Sequence, residues 1–293
     1  MAFNWQTFKT RTLTAAVFVV VMLAGLLINQ WTFLILFSVI HFGCWWEYLK
    51  LVENIHQTRF HKYFKLGLML IGYGLMTWSC RSEFQITGYE LQGNLSLLAS
   101  TTRFVLLAIG IFQKNKIELK SFGSGSFGLL YISLSMGLMT ELFGKAIIRL
   151  HDTSLIMTTP YFYPALIIAS LWVDDTMAYI IGSLIGKTQM SKISPKKTWE
   201  GTIAGVILSA VVIFLLSYYA FHFGIISYAL ATVAIIASIM GTVGDLFESK
   251  LKRMANVKDS GHIMPGHGGF LDRFDSLLLA TPFVWLYVYF FMK

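Results

Sequence analysis

Apolar residues along this chain come in long runs separated by short polar breaks. The runs predict nine membrane-spanning helices over 12–28, 31–49, 66–79, 95–112, 127–142, 161–185, 201–223, 226–247 and 272–292. A helix needs roughly 20 apolar residues to cross the hydrocarbon core of a bilayer, and the third and fifth runs are the shortest. The fold class expected is all-α, a polytopic integral membrane protein with about nine transmembrane helices. No internal repeat relates the two halves, which weakens a transporter built by duplication. The first run follows Lys9 and Arg11 as a secretory signal would. It lacks a small-x-small cleavage site and a second apolar run follows at once, so it is read as a retained span.

Composition supports this reading. Of 293 residues, 56% are apolar and 13% charged, about half the charge of a soluble protein. That excludes a disordered chain, a collagen, a disulfide scaffold and an ordinary soluble enzyme. Two cysteines, Cys44 and Cys80, make neither a disulfide framework nor a metal cluster and are read as small apolar fillers.

The charges are 23 Lys+Arg against 15 Asp+Glu, a net +8. In a soluble chain this would suggest nucleic acid. In a membrane protein it reflects cytoplasmic loops and anionic headgroups, and no nucleic-acid partner is expected. Seventeen cations fall on one side of the nine-span scheme: Lys9, Arg11, Lys50, Arg59, Lys62, Lys65, Lys114, Lys116, Lys120, Lys187, Lys192, Lys196, Lys197, Lys250, Lys252, Arg253 and Lys258. Only Arg81, Lys145, Arg149 and Lys293 fall on the other, while Arg103 and Arg273 lie within spans. By the positive-inside rule the N-terminus and even-numbered loops are cytoplasmic.

Candidate chemistry is uneven. Residues 50–65 read as a basic, headgroup-facing loop. Residues 113–126 read as a flexible linker around Gly123-Ser124-Gly125-Ser126, with no Gly-Lys-Ser/Thr to make it a phosphate loop. The segments 80–94 and 143–160 show no recognisable chemistry. Asp174 and Asp175 interrupt an apolar run, where a carboxylate is expensive unless it faces a polar cavity, a cation or a partner. Gly182 and Gly186 fit close helix packing.

Ser194-Pro195 can open a helix, with Ser at the N-cap and Pro in the first turn. Backbone N–H groups there, beside Lys196 and Lys197, would form an anion site; the alternative is a basic loop that only sets topology. Further on, Asp245, Ser249 and Lys252 share one face if the eighth span continues as helix. Pro265-Gly266-His267-Gly268-Gly269 is a tight turn where backbone can approach a ligand. Asp272 and Asp275 follow at i, i+3. Three carboxylates among Lys252, Arg253, Lys258 and Arg273 suit Mg²⁺ held through few protein oxygens plus substrate phosphates. The alternative for Asp272 and Asp275 is capping of the last helix.

The stretch SKLKRMANVKDSGHIMPGHGGFLDRFDS, residues 249–276, closely resembles the signature of the CDP-diacylglycerol synthase family, also called phosphatidate cytidylyltransferase. WVDDTMAYIIGSLIGK (172–187) and SPKKTWEGTIAG (194–205) agree with the same family. The first 150 or so residues match only as a set of spans. The resemblance implies a many-helix membrane enzyme, acting as a homodimer, that converts CTP and phosphatidate to CDP-diacylglycerol and pyrophosphate. It implies Mg²⁺, with K⁺ as a candidate second cation. It places metal carboxylates at Asp245 and Asp272 with Asp275 close by, so that Asp245, Asp272, Lys252 and Asp275 form the catalytic set. Phosphate handling falls to Ser249, Lys196 and Lys197, with Ser194, Arg253, Lys258, His267, Gly268, Gly269 and Arg273 beside them. Asp175 is the polar membrane carboxylate.

The expected division is 1–160, about five spans, and 161–293, the catalytic helices and their cytoplasmic motif loops. A cell inner membrane is expected, with the site facing the cytoplasm. Two other classes compete: a transporter or channel using Asp174, Asp175 and Arg103, and another lipid-phosphate enzyme such as a polyprenol or dolichol kinase.

Overall fold

The computed structural model describes residues 5–78, 80, 85–86, 89–90, 94–111, 118–144, 147–149, 156–261 and 268–292. Among them nine helices occur: α1 (Trp5–Leu27), α2 (Gln30–His56), α3 (Lys62–Trp78), α4 (Asn94–Ile111), α5 (Leu119–Leu142), α6 (Phe162–Ile185), α7 (Trp199–Ala220), α8 (Ile226–Met254) and α9 (Leu271–Phe291). One helix falls on each expected span. Six of them, α2 and α5–α9, are long and apolar enough to cross a membrane by themselves. Two short antiparallel hairpins lie in the connections after α3 and α5: β1 (Gln85–Ile86) with β2 (Tyr89–Glu90), and β3 (Ile147–Arg149) with β4 (Ile156–Thr158).

The chain forms two compact units. The first comprises Met1–Glu141 and Leu251–Phe274, the second Leu142–Lys250 and Asp275–Lys293. In the first, Asn29 separates α1 from α2. Its side chain accepts the N–H groups of Trp31 and Thr32 at 2.9 Å each, and Thr32 returns the bond, so the break is a capping box. Residues 119–126 are the first turns of α5, not a flexible linker. The Gly/Ser run is helical because small side chains there admit neighbours: Tyr48 donates to the Ser124 carbonyl at 2.6 Å, and His56 Nε2 meets Ser124 Oγ at 2.8 Å. Leu129–Leu134 is a π-helical stretch. Its Ser133 hydroxyl receives Trp45 Nε1–H at 2.8 Å and lies 3.0 Å from His41 Nε2. Both free cysteines are buried, and burial pushes the Cys80 thiol up to about 11, which suits inert filler.

In the second unit α6 and α7 pack closely. A Cβ on Gly201 would stand 2.6 Å from the Ala178 carbonyl and 2.9 Å from Gly182 Cα. Small residues on facing helices allow this backbone approach, the usual means of helix association in lipid. Large side chains such as Val20, Ile35, Tyr179, Leu184 and Phe290 are exposed; in a bilayer that surface meets acyl chains. At 29 residues, α8 is about 43 Å long. That exceeds the roughly 30 Å hydrocarbon core, so its polar end, from Asp245 to Met254, extends past it.

Candidate active site

Three carboxylates converge in the second unit. Asp245 and Glu248, at i and i+3 on α8, share a face, and Asp275 comes from the first turns of α9. One oxygen from each lies within 4.8 Å of the other two. Glu248 is fully buried and Asp275 nearly so. In an octahedral Mg²⁺ shell neighbouring oxygens stand about 3 Å apart and opposite ones about 4.2 Å, so these three hard donors are grouped as a divalent cation needs and would close on one when it binds. Ser249 Oγ donates to Asp245 Oδ1 at 3.4 Å. Lys197 Nζ forms an ion pair with Asp245 Oδ2.

Lys197 arrives on a closed turn. The Trp199 N–H donates to the Thr188 carbonyl at 3.0 Å and the Met190 N–H to the Lys197 carbonyl at 2.9 Å. The Thr188 N–H donates to the Glu200 carboxylate at 3.1 and 3.2 Å. Ser194 does not cap a helix, contrary to the expectation from Ser194-Pro195. Its carbonyl accepts the Lys197 N–H at 3.2 Å, which closes a turn over 194–197. The helix begins at Trp199, where the Thr198 hydroxyl accepts the Gly201 N–H at 3.2 Å. Thr198 takes the cap because its hydroxyl reaches the N3 amide, while Ser194 is committed to the turn before it.

Lys196, Lys197 and Thr198 line a cavity of about 420 Å³ together with Asp174, Asp175 and Thr242. Both aspartates therefore line a cavity that Lys196 and Lys197 also line, and a nearby cation offsets part of their cost in an apolar segment. Asp174 is the buried one and Asp175 the exposed one. Gly205 leaves the space that Asp174 Oδ1 occupies.

The signature loop belongs to the first unit. Asp272, in the first turn of α9, is fully engaged. Its Oδ1 takes Lys252 Nζ at 2.6 Å; its Oδ2 takes the Ser260 N–H at 2.9 Å and the Gly269 N–H at 2.8 Å, with the Ser260 hydroxyl oxygen 2.9 Å away. Gly268 has φ +83°, a backbone state natural to glycine. Lys258 lines a separate polar cavity of about 270 Å³ with Lys50, Asn54, Asp259 and Ser260. Arg253 and Arg273 are exposed, and Arg253 Nη1 donates to the Val257 carbonyl at 3.4 Å. His267 lies outside the described residues, as do Lys114 and Lys116.

The candidate residues thus form two groups. Asp245, Ser249, Asp275, Asp175, Ser194, Lys196 and Lys197 belong to the second unit; Asp272, Lys252, Arg253, Lys258, Gly268, Gly269 and Arg273 belong to the first. Two acidic residues join them that spacing alone had not singled out. Glu248 was legible as the i+3 neighbour of Asp245. Glu47 stands in the second apolar run as WWEYLK, where an ionisable residue is a functional signal by default.

Comparison with known proteins places the whole chain in one family. A profile of the cytidylyltransferase family matches residues 9–291. The chain is 32% identical over 284 residues to a phosphatidate cytidylyltransferase of Staphylococcus saprophyticus, covering 94% of this chain and 96% of the relative. It is 39% identical over 189 residues to one of Staphylococcus haemolyticus, covering 64% and 66%. To one of Bacillus subtilis it is 33% identical over 213 residues, covering 72% and 75%. Matched over nearly its whole length, with the carboxylates and lysines of its signature set on the polar ends of apolar helices, the chain belongs to the cytidylyltransferase family.

Proposed function

We propose that this chain transfers the cytidylyl group of CTP to phosphatidate, giving CDP-diacylglycerol and pyrophosphate. The observation that carries the reading is the cluster of Asp245, Glu248 and Asp275 with Lys197 paired to it. Buried carboxylates need a cation, and the lysines that line the neighbouring cavity need an anion; a metal-bound triphosphate meets both demands. The names of the relatives supply the substrates.

The lipid phosphate is largely a dianion at neutral pH, its second pKa being about 6, and needs no side-chain base. It attacks the α-phosphorus of CTP in line; a new phosphoanhydride bond forms, the α–β bond breaks and pyrophosphate leaves. The protein's task is to bring two polyanions together and hold them in line. Lys196 and Lys197, which line the 420 Å³ cavity, neutralise phosphate oxygens. The resemblance assigns phosphate contacts also to Lys252, paired with Asp272, and to Arg253. Asp245, Glu248 and Asp275 would hold Mg²⁺; Asp272, to which the resemblance gives a metal role, pairs with Lys252 instead. When bound, the ion offsets charge on the triphosphate and fixes its orientation. K⁺ as a second cation and a homodimer rest on the same resemblance.

The long α8 ends on the side that carries seventeen of the cations, which supports a site on the cytoplasmic face of a cell inner membrane. That is where a soluble nucleotide and a membrane lipid meet. The test is incorporation of radiolabelled CTP into lipid by purified protein with phosphatidate, with and without Mg²⁺. Label in CDP-diacylglycerol that depends on both supports the reading. Label that appears with a polyprenol or dolichol and not with phosphatidate overturns it.

A further inference from the structure

The side chain of Glu47, on α2, is 2% exposed. An ionised carboxylate at such a place needs donors, and the first unit supplies three from the signature loop. Ser260 Oγ donates at 2.7 Å, the Phe270 N–H at 3.0 Å and the Leu271 N–H at 2.8 Å. The two amides open α9 and have no partner within that helix. A negative charge there also opposes the positive end of the helix dipole. The loop is cut to admit this carboxylate: a Cβ on Gly261 or Gly269 would collide with it.

The contacts lead to Asp272. Ser260, held by Glu47, gives its N–H to Asp272 Oδ2 at 2.9 Å, with its hydroxyl also 2.9 Å from that atom. Gly269, against Glu47, gives its N–H to the same oxygen at 2.8 Å. Lys252 then takes the other oxygen, at 2.6 Å. A carboxylate more than 200 residues away in sequence thus sets the position of the acid that sets the lysine.

We infer that Glu47 is a positioning residue for the cytidylyl transfer: it fixes Ser260, Gly269, Phe270 and Leu271 so that Asp272 and Lys252 keep one geometry. It rests on the function proposed above, and it adds a residue from a segment where the family signature has no counterpart. Glu47→Gln replaces one acceptor oxygen by a donor that faces backbone N–H groups, which displaces the loop while keeping the side chain's size. A misplacement of about 1 Å at reacting groups costs on the order of 100-fold in rate.

The experiment uses the full chain in nanodiscs. Glu47→Gln should lower kcat about 10- to 100-fold, while KM for CTP and phosphatidate stays within about twofold. Amide exchange at Phe270 and Leu271 should quicken, with exchange in α7 unchanged. Glu47→Asp, which keeps the charge with a shorter reach, should fall between; it carries the test if Glu47→Gln fails to fold. Wild-type kcat per folded molecule, or unaltered exchange at Phe270 and Leu271, overturns the inference. A wild-type protein that makes no CDP-diacylglycerol overturns the activity reading instead, and exchange at those amides still decides whether Glu47 holds the loop.

Discussion

Lys252 Nζ lies 2.6 Å from Asp272 Oδ1, with the two side chains only 13% and 9% exposed. Removing one partner of such a pair leaves a charge that the surroundings cannot solvate, at a cost of about 3–5 kcal/mol. Asp272→Asn should therefore lower the thermal midpoint and also remove most activity. The double variant Lys252→Met, Asp272→Asn should regain stability without regaining activity, which separates chemistry from folding. Full activity in purified Asp272→Asn would remove Asp272 from the site.

Asp245, Glu248 and Asp275 make a prediction about metal. Chelation of divalent ions should abolish activity, and Mg²⁺ should restore it. Glu248→Gln removes one hard donor from a set whose oxygens lie within 4.8 Å of one another. The Mg²⁺ concentration for half-maximal activity should rise by about tenfold or more, with saturating Mg²⁺ recovering part of the rate. An unchanged Mg²⁺ titration in Glu248→Gln would place the cation elsewhere.

Much of this was legible in the sequence, and the parts that were not have physical reasons. Each apolar run carries a helix among the described residues, and six are long and apolar enough to cross a bilayer, which leaves an apolar segment few other ways to satisfy its backbone. The eighth span was expected to end at 247; α8 runs on to Met254, which meets the condition under which Asp245, Ser249 and Lys252 share a face. The start of α7 was not legible: Ser194-Pro195 has the composition of a helix opening, yet the choice of Thr198 depends on the turn that brings Thr188 to Glu200. The Gly/Ser run at 123–126 has the composition of a linker, and only its contacts with Tyr48 and His56 make it helix. Glu47 carried a signal in its own apolar run, but its partners at Ser260, Phe270 and Leu271 are a property of the fold.

Lys197 supplies a prediction about substrate. It pairs with Asp245 and lines the cavity, so it can pass from carboxylate to phosphate when the nucleotide binds. A hydrogen bond to a charged group is worth about 1.5–3 kcal/mol, so Lys197→Met should raise KM for CTP or phosphatidate about 10- to 100-fold. Lys196→Met, at the exposed rim, should act in the same direction and less strongly. If neither substrate's kinetics move in either variant, the loop serves topology alone.

Gly268 and Gly123 give a paired prediction that separates backbone conformation from helix propensity. Gly268 has φ +83°, and a Cβ there would stand 2.7 Å from Asp272 Oδ2. Gly268→Ala therefore meets a left-handed backbone cost of about 1–2 kcal/mol and pushes on the carboxylate that holds Lys252. Gly123 sits in α5 with nothing within 4 Å of an added Cβ. There the exchange to Ala should stabilise the protein by about 0.5–1 kcal/mol and leave kcat alone. Measured side by side, Gly268→Ala should lose activity faster than stability, because the displaced atom is Asp272 Oδ2 rather than a core contact. Equal losses of activity and folded protein in Gly268→Ala would mean that the turn supports the fold and does not set the geometry of Asp272.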